Sequence, residues 1–279
     1  MLYIIWNLNP EIFNLNGFTL GYYNLLFVGG IFLCAEMVRR MFRAGNIPDS
    51  SYMTLLYYGF FGIVLGARLG HCLFYQPEYY LLHPLEMILP FTVENGQFIF
   101  TGYRGLASHG GTIGLLVALF IFSKKTGMNL VQLLDYIAIV APLGASFIRI
   151  GNLMNSEIIG KATDMPWAFV FQRVDSIPRH PAQLYEAVAY LLLFLILVSM
   201  YRKKRGTIKP GLLFGLTLTV IFLFRFFIEF LKERQVDFEN KMYLDMGQLL
   251  SIPFIFIGLY FIFFYNIKSN TGTKNTKIL

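Results

Sequence analysis

The chain has 279 residues, of which 56% are hydrophobic and 14% are charged, and its formal net charge is +7 at pH 7. This balance is too apolar for a soluble domain of this length, so we expect an integral membrane protein. The only cysteines, Cys34 and Cys72, have no metal-ligand partners at motif spacing, so we expect no disulfide framework, no metal site and no cofactor.

Seven apolar runs are long enough to cross the roughly 30 Å hydrocarbon core of a bilayer as helices. Their cores are residues 20–37, 52–75, 105–123, 130–150, 184–201, 211–230 and 246–265. No tandem repeat or long flexible linker interrupts the chain. We therefore predict an all-α, polytopic membrane protein with seven transmembrane helices, folded as a single catalytic domain over residues 1–279.

Lysine and arginine are concentrated in every second connection between these runs. Because short loops rich in these residues stay in the cytoplasm, we predict a periplasmic amino terminus and a cytoplasmic carboxyl terminus. The positive charge then faces anionic lipid, so it requires no nucleic-acid partner. The basic residues are Arg39, Arg40, Arg43, Lys124, Lys125, Arg202, Lys203, Lys204, Arg205, Lys209, Lys268, Lys274 and Lys277. The other loops carry mixed charge, with acidic residues Glu78, Glu86, Glu94, Asp164, Asp175, Glu233, Asp237 and Glu239.

Two long connections on the predicted periplasmic side are rich in aromatic and polar residues. They are segments 76–104 and 152–183, and a shorter segment, 232–245, lies on the same side. We predict that these long loops form a periplasmic cap over the helices. The cytoplasmic connections are short, so we expect the functional residues at the periplasmic face.

The second and third runs each carry one polar candidate. Arg68 lies in GARLGHCLFY, inside an apolar run, where a charged side chain costs a few kcal/mol or more. His109 lies in RGLASHGGTIG, where neighbouring glycines allow close approach of backbone or lipid. Histidine can accept a proton near neutral pH, although a purely structural histidine would fit the same pattern.

The fourth run ends in a polar block. Arg149 and Asn152 are three residues apart and so share a helix face, and Asn155, Glu157 and Gly160 follow. A guanidinium with nearby amide donors suits an oxyanion such as phosphate. The alternative is an arginine that only extends to the lipid headgroups.

The fifth and sixth runs add two further blocks. HPAQLYEA places Gln183, Tyr185 and Glu186 in a first helical turn, where an ordinary helix start with an interfacial tyrosine would also explain it. Arg225 and Glu229 are four residues apart in FRFFIEF and so share a helix face. They form either part of a substrate site or an ion pair that only holds helices together.

Together these blocks resemble the prolipoprotein diacylglyceryl transferase family over nearly the whole chain. The matching stretches are GARLG with LFY at 66–75, SHGG at 108–111, RIGNLMNSEIIG at 149–160, HPAQLYEA at 180–187 and RFFIEF at 225–230. The resemblance implies transfer of a diacylglyceryl group from phosphatidylglycerol to the lipobox cysteine of prolipoprotein signal peptides, with release of glycerol 1-phosphate. It implies an enzyme of the bacterial inner membrane with membrane lipid and prolipoproteins as partners.

The resemblance also implies residue roles. Arg149, Asn152, Glu157 and Gly160 match the signature that engages the lipid headgroup, His109 matches the family histidine, and Arg225 with Glu229 matches a late charged pair. Tyr23, in GYYNLL of the first run, matches an early tyrosine, and we expect Arg68 among the substrate-binding residues.

Elementary chemistry agrees with these roles. A thiol has a pKa of about 8.5, so its attack on carbon needs a base or a positive field. We expect His109 to be the base, and Arg149 first and Arg225 second to stabilise the departing phosphate. Glu157 and Glu229 then orient the arginines, or one of them serves as the base instead.

Two departures from the family pattern concern the lipid pocket: Ile148 stands where glycine is frequent, and Ile221 where we expect tyrosine. Two other functions compete. An anion or lipid transporter would also explain arginines within the membrane, but it predicts paired features on both faces. An intramembrane hydrolase would use Ser108 or Ser156 with His109, but the adjacent Ser108 and His109 cannot easily reach each other on one helix.

Overall fold

A computed structural model describes residues 3–15, 18–89, 91–94, 97–100, 105–204, 207–234 and 242–265. These residues are mostly helical. The helices are α1 (Tyr22–Ala44), α2 (Asp49–Phe74), α3 (Pro77–Leu82), α4 (Pro84–Ile88), α5 (Ser108–Thr126), α6 (Leu130–Asn155), α7 (Ala182–Lys203), α8 (Leu212–Ile228), a 3₁₀ turn (Glu229–Leu231) and α9 (Met246–Phe263). The strands are β1 (Ile4–Trp6), β2 (Glu11–Leu15), β3 (Phe18–Gly21), β4 (Phe91–Glu94), β5 (Gln97–Phe100), β6 (Phe169–Phe171) and β7 (Pro178–Arg179).

Each of the seven predicted membrane runs coincides with one long helix. Within the described part of the chain, five helices are long and apolar enough to cross a membrane: Asp49–Phe74, Leu130–Asn155, Ala182–Lys203, Leu212–Leu231 and Met246–Phe263. The prediction of a helical membrane protein is thus confirmed, with five helices of this kind among the described residues. The other two, α1 and α5, are more polar because α1 ends among arginines, whereas α5 begins with Ser108 and His109 and ends with two lysines.

The two segments predicted to form a cap are not simply long loops. Segment 76–104 contains the short helices α3 and α4 and the antiparallel hairpin β4–β5. In segment 152–183, β6 pairs in parallel with β1 of the amino-terminal segment and antiparallel with β7. The strands are short and lie among turns. The long apolar runs that predicted the helices therefore gave no indication of these strands. Several residues used to predict orientation lie outside the described part: Arg205, Asp237, Glu239, Lys268, Lys274 and Lys277.

The chain divides into two compact units, residues 1–34 with 135–279 and residues 35–134. In the unit formed by residues 35–134, α2 and α5 pack through small residues. A Cβ added at Gly66 would collide with the carbonyl oxygen of Gly110, and one added at Gly70 would lie 2.7 Å from the Gly110 Cα. Only residues without a side chain allow this approach, as at other close helix crossings in membranes.

In the other unit, α6 contacts both α1 and α8. Phe147 packs on Gly30, and the Cys34 thiol lies 3.3 Å from the carbonyl oxygen of Val140. The buried Asp135 carboxylate accepts hydrogen bonds from the backbone N–H groups of Gly211 at 2.7 Å and Phe214 at 2.8 Å. These N–H groups belong to the first turn of α8, which has no cap of its own, so α6 supplies one.

The end of α6 is further fixed by the amino-terminal segment. Trp6 donates a hydrogen bond from its indole N–H to the carbonyl oxygen of Leu153 at 3.1 Å. The same Trp6 packs against a small core formed by Leu153, Phe169 and Phe171. The polar block after Arg149 is therefore held between a helix end and a three-stranded sheet.

Candidate active site

The signature residues at the end of α6 contact one another in a chain. Arg149 donates from Nη1 to Oδ1 of Asn152 at 3.3 Å, and Asn152 donates from Nδ2 to Oε2 of Glu157 at 3.0 Å. Asn155 donates to the other oxygen of Glu157, also at 3.0 Å. Glu157 therefore reaches Arg149 through Asn152, and its predicted role of orienting an arginine stays a prediction.

The backbone next to Glu157 is strained. Ser156 has φ of 57° and Ile158 has φ of 55°, both in the left-handed region. A β-branched residue rarely adopts this conformation, and each such residue costs on the order of 1–3 kcal/mol. The turn is fixed by Gln183, which donates from Nε2 to the Glu157 carbonyl oxygen at 2.5 Å. Strain of this kind is concentrated at functional sites.

Gly160 packs between two other segments. Its N–H donates to the carbonyl oxygen of His180 at 2.9 Å, and it forms an antiparallel bridge with Lys232. A Cβ at this position would lie 2.5 Å from the His180 oxygen and 2.9 Å from the Leu231 oxygen. The glycine thus has a packing reason to be there, and the headgroup contact predicted for it stays a prediction.

Glu186, the fifth residue of α7, is the direct partner of Arg149. Its side chain is fully buried, and its Oε2 lies 3.1 Å from Nε of Arg149 and 3.2 Å from Nζ of Lys232. Tyr190 donates its hydroxyl to the other oxygen at 3.1 Å. A buried carboxylate needs such partners, because an unpaired one would be strongly destabilising.

Lys232 continues the contacts to the late charged pair. Its Nζ lies 3.4 Å from Oε1 of Glu229, and Nε of Arg225 lies 3.7 Å from the same oxygen. The predicted pairing of Arg225 and Glu229 on one helix face is confirmed. We call these five residues the ionic cluster: Arg149, Glu186, Lys232, Glu229 and Arg225. With all of them ionised, three cations face two carboxylates, which leaves one surplus positive charge.

The two arginines differ in exposure. The Arg149 side chain is 14% exposed, whereas that of Arg225 is 36% exposed and lies at a longer distance from its carboxylate. Each uses Nε towards a carboxylate, which leaves terminal guanidinium nitrogens for a further anion. Tyr23 lies in the same unit, where its ring packs on Gly151, next to Asn152.

Two predicted site residues belong to the unit formed by residues 35–134. His109 is exposed in the first turn of α5. Arg68 is buried and donates hydrogen bonds to the carbonyl oxygens of Met87 at 3.2 Å and Glu86 at 2.6 Å, with its guanidinium 4.9 Å from the ring centroid of Tyr80. Arg68 thus fixes the carboxyl end of α4, and its predicted contact with substrate stays a prediction.

Sequence reasoning missed two members of the ionic cluster. Glu186 was noted only as part of a polar helix start, and Lys232 only as the start of a loop. In retrospect, Arg149 itself indicates a further carboxylate. An arginine buried this far requires a carboxylate partner, and Glu157 lies on a turn rather than on the same helix face. Lys232 follows Glu229 by three residues, a spacing that brings side chains together.

A second charged contact lies in segment 152–183. Arg179 donates to Asp175 at 2.7 Å and to Glu233 at 2.6 Å. The hydrogen bond from Arg179 lowers the pKa of the Asp175 carboxyl. Burial lowers the pKa of the neighbouring His180, whose Nδ1 lies 3.3 Å from the Tyr185 hydroxyl. This contact ties the β6–β7 segment to the residue after Lys232.

Comparison with known proteins shows which family the chain matches. A family model described as prolipoprotein diacylglyceryl transferase matches residues 10–264. A phosphatidylglycerol–prolipoprotein diacylglyceryl transferase of Bacteroides fragilis is 56% identical over 97% of this chain and 98% of its own length. Proteins with the same name from Chloroherpeton thalassium and Porphyromonas gingivalis are 44% and 38% identical, over 94% and 93% of this chain and 94% of each relative.

Proposed function

The chain belongs to the prolipoprotein diacylglyceryl transferase family, and from this membership we propose that it transfers the diacylglyceryl group of phosphatidylglycerol to prolipoproteins. The acceptor is the thiol of the lipobox cysteine, and the products are a thioether-linked lipid and glycerol 1-phosphate. This is the first step of bacterial lipoprotein maturation. Family membership favours this function over the anion or lipid transporter that the intramembrane arginines also allowed.

The reaction is a substitution at carbon. The cysteine sulfur forms a bond to the terminal glycerol carbon of the diacylglyceryl group while the bond from that carbon to the phosphate oxygen breaks. The electron pair of the broken bond leaves with glycerol 1-phosphate, and the thiol proton passes to a base. Charge increases on the phosphate during this step, so a fixed cation stabilises the transition state more than the bound lipid.

The observation that supports a phosphate site is the surplus positive charge of the ionic cluster. A phosphodiester carries one negative charge, which matches the one surplus positive charge of the five residues, three cations against two carboxylates. We assign Arg149 as the first phosphate ligand and Arg225 as the second, with Asn152 and Glu157 holding Arg149 in its orientation. We keep Tyr23, whose ring packs on Gly151, and Gly160 as further substrate-binding residues. A guanidinium offers forked donors that suit phosphate oxygens.

We assign the base role to His109. Its exposed position at the start of α5 leaves the imidazole accessible to a thiol, and histidine accepts protons near neutral pH. We propose a positioning role for Arg68, because its guanidinium donates hydrogen bonds to the carbonyl oxygens of α4.

For the topology we propose seven membrane spans in one domain, with the amino terminus and the active site on the periplasmic side of the inner membrane. Helices α1 and α5 have 23 and 19 residues, so at about 1.5 Å per residue both are long enough to span. Both end in basic residues, as expected for cytoplasmic ends.

The activity is tested with the purified protein in phosphatidylglycerol vesicles and a peptide that contains a lipobox cysteine. We expect the peptide mass to increase by one diacylglyceryl group. A matched peptide with serine in place of cysteine, and vesicles of phosphatidylethanolamine alone, are the controls and should give no product. Equal mass gains with the serine peptide would overturn the thiol-transfer assignment.

A further inference from the structure

Lys232 is a buried cation at the centre of the ionic cluster, and the family signature residues do not include it. The lysine is 3% exposed, and its ammonium contacts two carboxylates from different elements, Glu186 of α7 and Glu229 at the end of α8. Each of these carboxylates also contacts one of the two phosphate-binding arginines. Lys232 is therefore the link between the two halves of the site.

We infer that Lys232 is a positioning residue for diacylglyceryl transfer: its ammonium fixes the two carboxylates that orient Arg149 and Arg225, and it supplies the surplus charge of the cluster. This inference rests on the proposed function.

The distances support this role. Lys232 and Arg225 contact the same oxygen of Glu229, and the lysine is nearer, at 3.4 Å against 3.7 Å. The lysine thus shares the Glu229 carboxylate with Arg225, which weakens the attraction between Glu229 and Arg225. Arg225 stays loosely paired and 36% exposed, as a residue that must engage an incoming anion requires.

Charge counting leads to the same conclusion. Without Lys232 the cluster would contain two arginines and two carboxylates, each arginine neutralised by its own partner. The guanidinium donors would remain, but the cluster would lose the net positive charge that attracts a phosphodiester. Because buried charges are weakly screened, the third cation strengthens that attraction.

The backbone explains how the lysine is held in place. Lys232 forms an antiparallel bridge with Gly160, Lys161 donates from its N–H to the Leu231 oxygen at 2.7 Å, and Glu233 donates from its N–H to the Ile159 oxygen at 3.2 Å. A side chain at position 160 would collide with both His180 and Leu231. We therefore assign Gly160 the task of letting Lys232 reach the cluster.

The test uses the full-length protein in phosphatidylglycerol vesicles with the lipobox peptide, and compares Lys232→Met, Lys232→Arg and the control Lys161→Met. The control removes a neighbouring charge, the Lys161 ammonium, which donates to the Phe230 carbonyl oxygen at 2.9 Å. We expect Lys232→Met to lower kcat on the order of 10²-fold, the loss typical of catalytic groups misplaced by about 1 Å. It should also weaken inhibition by added glycerol 1-phosphate, whereas Lys161→Met should change neither quantity.

Lys232→Arg keeps the charge, so it should retain most of the kcat that Lys232→Met loses. A purely structural lysine would give a smaller folded fraction with unchanged kcat per folded molecule and unchanged product inhibition, and this result would overturn the inference. If Lys232→Met is not recovered folded, Lys232→Gln is measured in its place against the same two outcomes. Failure of the wild type to transfer lipid would instead contradict the proposed function, so the two failures are distinct.

Discussion

Arg149 and Glu186 form a buried ion pair, with Nε of the arginine 3.1 Å from Oε2 of the carboxylate. The pair joins the carboxyl-terminal part of α6 to the amino-terminal part of α7. Glu186 contacts Nε of the guanidinium, and Asn152 accepts a hydrogen bond from Nη1. The pair therefore orients Arg149 while a terminal nitrogen stays available for the phosphate.

The first prediction concerns this arginine. Arg149→Gln should lower the transfer rate by on the order of 10²–10³-fold, the usual effect of removing one donor from a developing oxyanion. The rate is measured as lipidated peptide per folded protein, with folding checked by size-exclusion chromatography. Arg173→Gln is the matched control, because Arg173 is exposed and donates to the Leu8 carbonyl oxygen at 3.5 Å. A wild-type rate in folded Arg149→Gln would refute the phosphate assignment.

The second prediction concerns the base. His109→Gln should lower kcat by about 10²–10⁴-fold, the range for general-base catalysis, and should remove the acidic limb of the pH–rate profile. His83→Gln is the control, since the exposed His83 stacks on Tyr79. If His109→Gln keeps full activity, the thiolate is generated by the positive field of the site instead.

The third prediction concerns the strained turn. Ser156 is buried in the left-handed region, and its hydroxyl has no hydrogen-bond partner among the residues that the structure describes. Ser156→Gly removes the backbone strain and the cost of burying an unpaired hydroxyl. It should therefore raise the free energy of unfolding by about 1 kcal/mol, seen as a higher thermal midpoint in detergent. Lipid transfer should persist. Loss of transfer in a folded Ser156→Gly protein would instead mean that the serine hydroxyl takes part in the reaction.

The fourth prediction is a pH dependence in the cap. Burial lowers the folded-state pKa of His180 below that of the unfolded chain, about 6.5, so the folded state binds fewer protons there. This contribution to stability is therefore complete above that pH and is lost as the pH falls through the folded pKa. The protection factors of segment 160–180 in hydrogen exchange, corrected for the intrinsic exchange rate at each pH, should fall as the pH is lowered from 7.5 to 5.5. In His180→Asn the fall should be smaller, and an unchanged fall would contradict the assignment.

Asp175 provides an internal comparison for that experiment. The hydrogen bond from Arg179 lowers its pKa, so its contribution is present above the unfolded value of about 3.9 and is lost only in stronger acid. Asp175→Asn should therefore make segment 160–180 exchange faster to a similar degree at pH 7.5 and 5.5. This separates the two groups by the shape of the pH profile.

The helices could be predicted from sequence because long apolar runs and caps are local properties. Run 130–150 became α6 and run 246–265 became α9 with only small changes at the ends. The strands of the cap could not be predicted, because β6 has three residues and its parallel partner β1 lies far away in the sequence. Such pairing is set by tertiary packing rather than by local pattern.

The site could be predicted in part. The signature from Arg149 to Glu157 is local, so spacing alone placed its side chains together. The ion pairs of Glu186 and Lys232 join helices that are distant in sequence, and no spacing rule connects them. Arg68 looked like a site residue because a charge in an apolar run demands an explanation, and the structure shows that the carbonyl oxygens of α4 provide one.

The central claim is that a thiol displaces glycerol phosphate from phosphatidylglycerol at a cationic site. The most direct test is to quantify both products of one reaction, the thioether-linked peptide by mass spectrometry and released glycerol 1-phosphate by an enzymatic assay. The account predicts equimolar products from the wild type and neither product from Arg149→Gln within the same time. Lipidated peptide without glycerol 1-phosphate, or glycerol 1-phosphate released equally without any peptide, would contradict it.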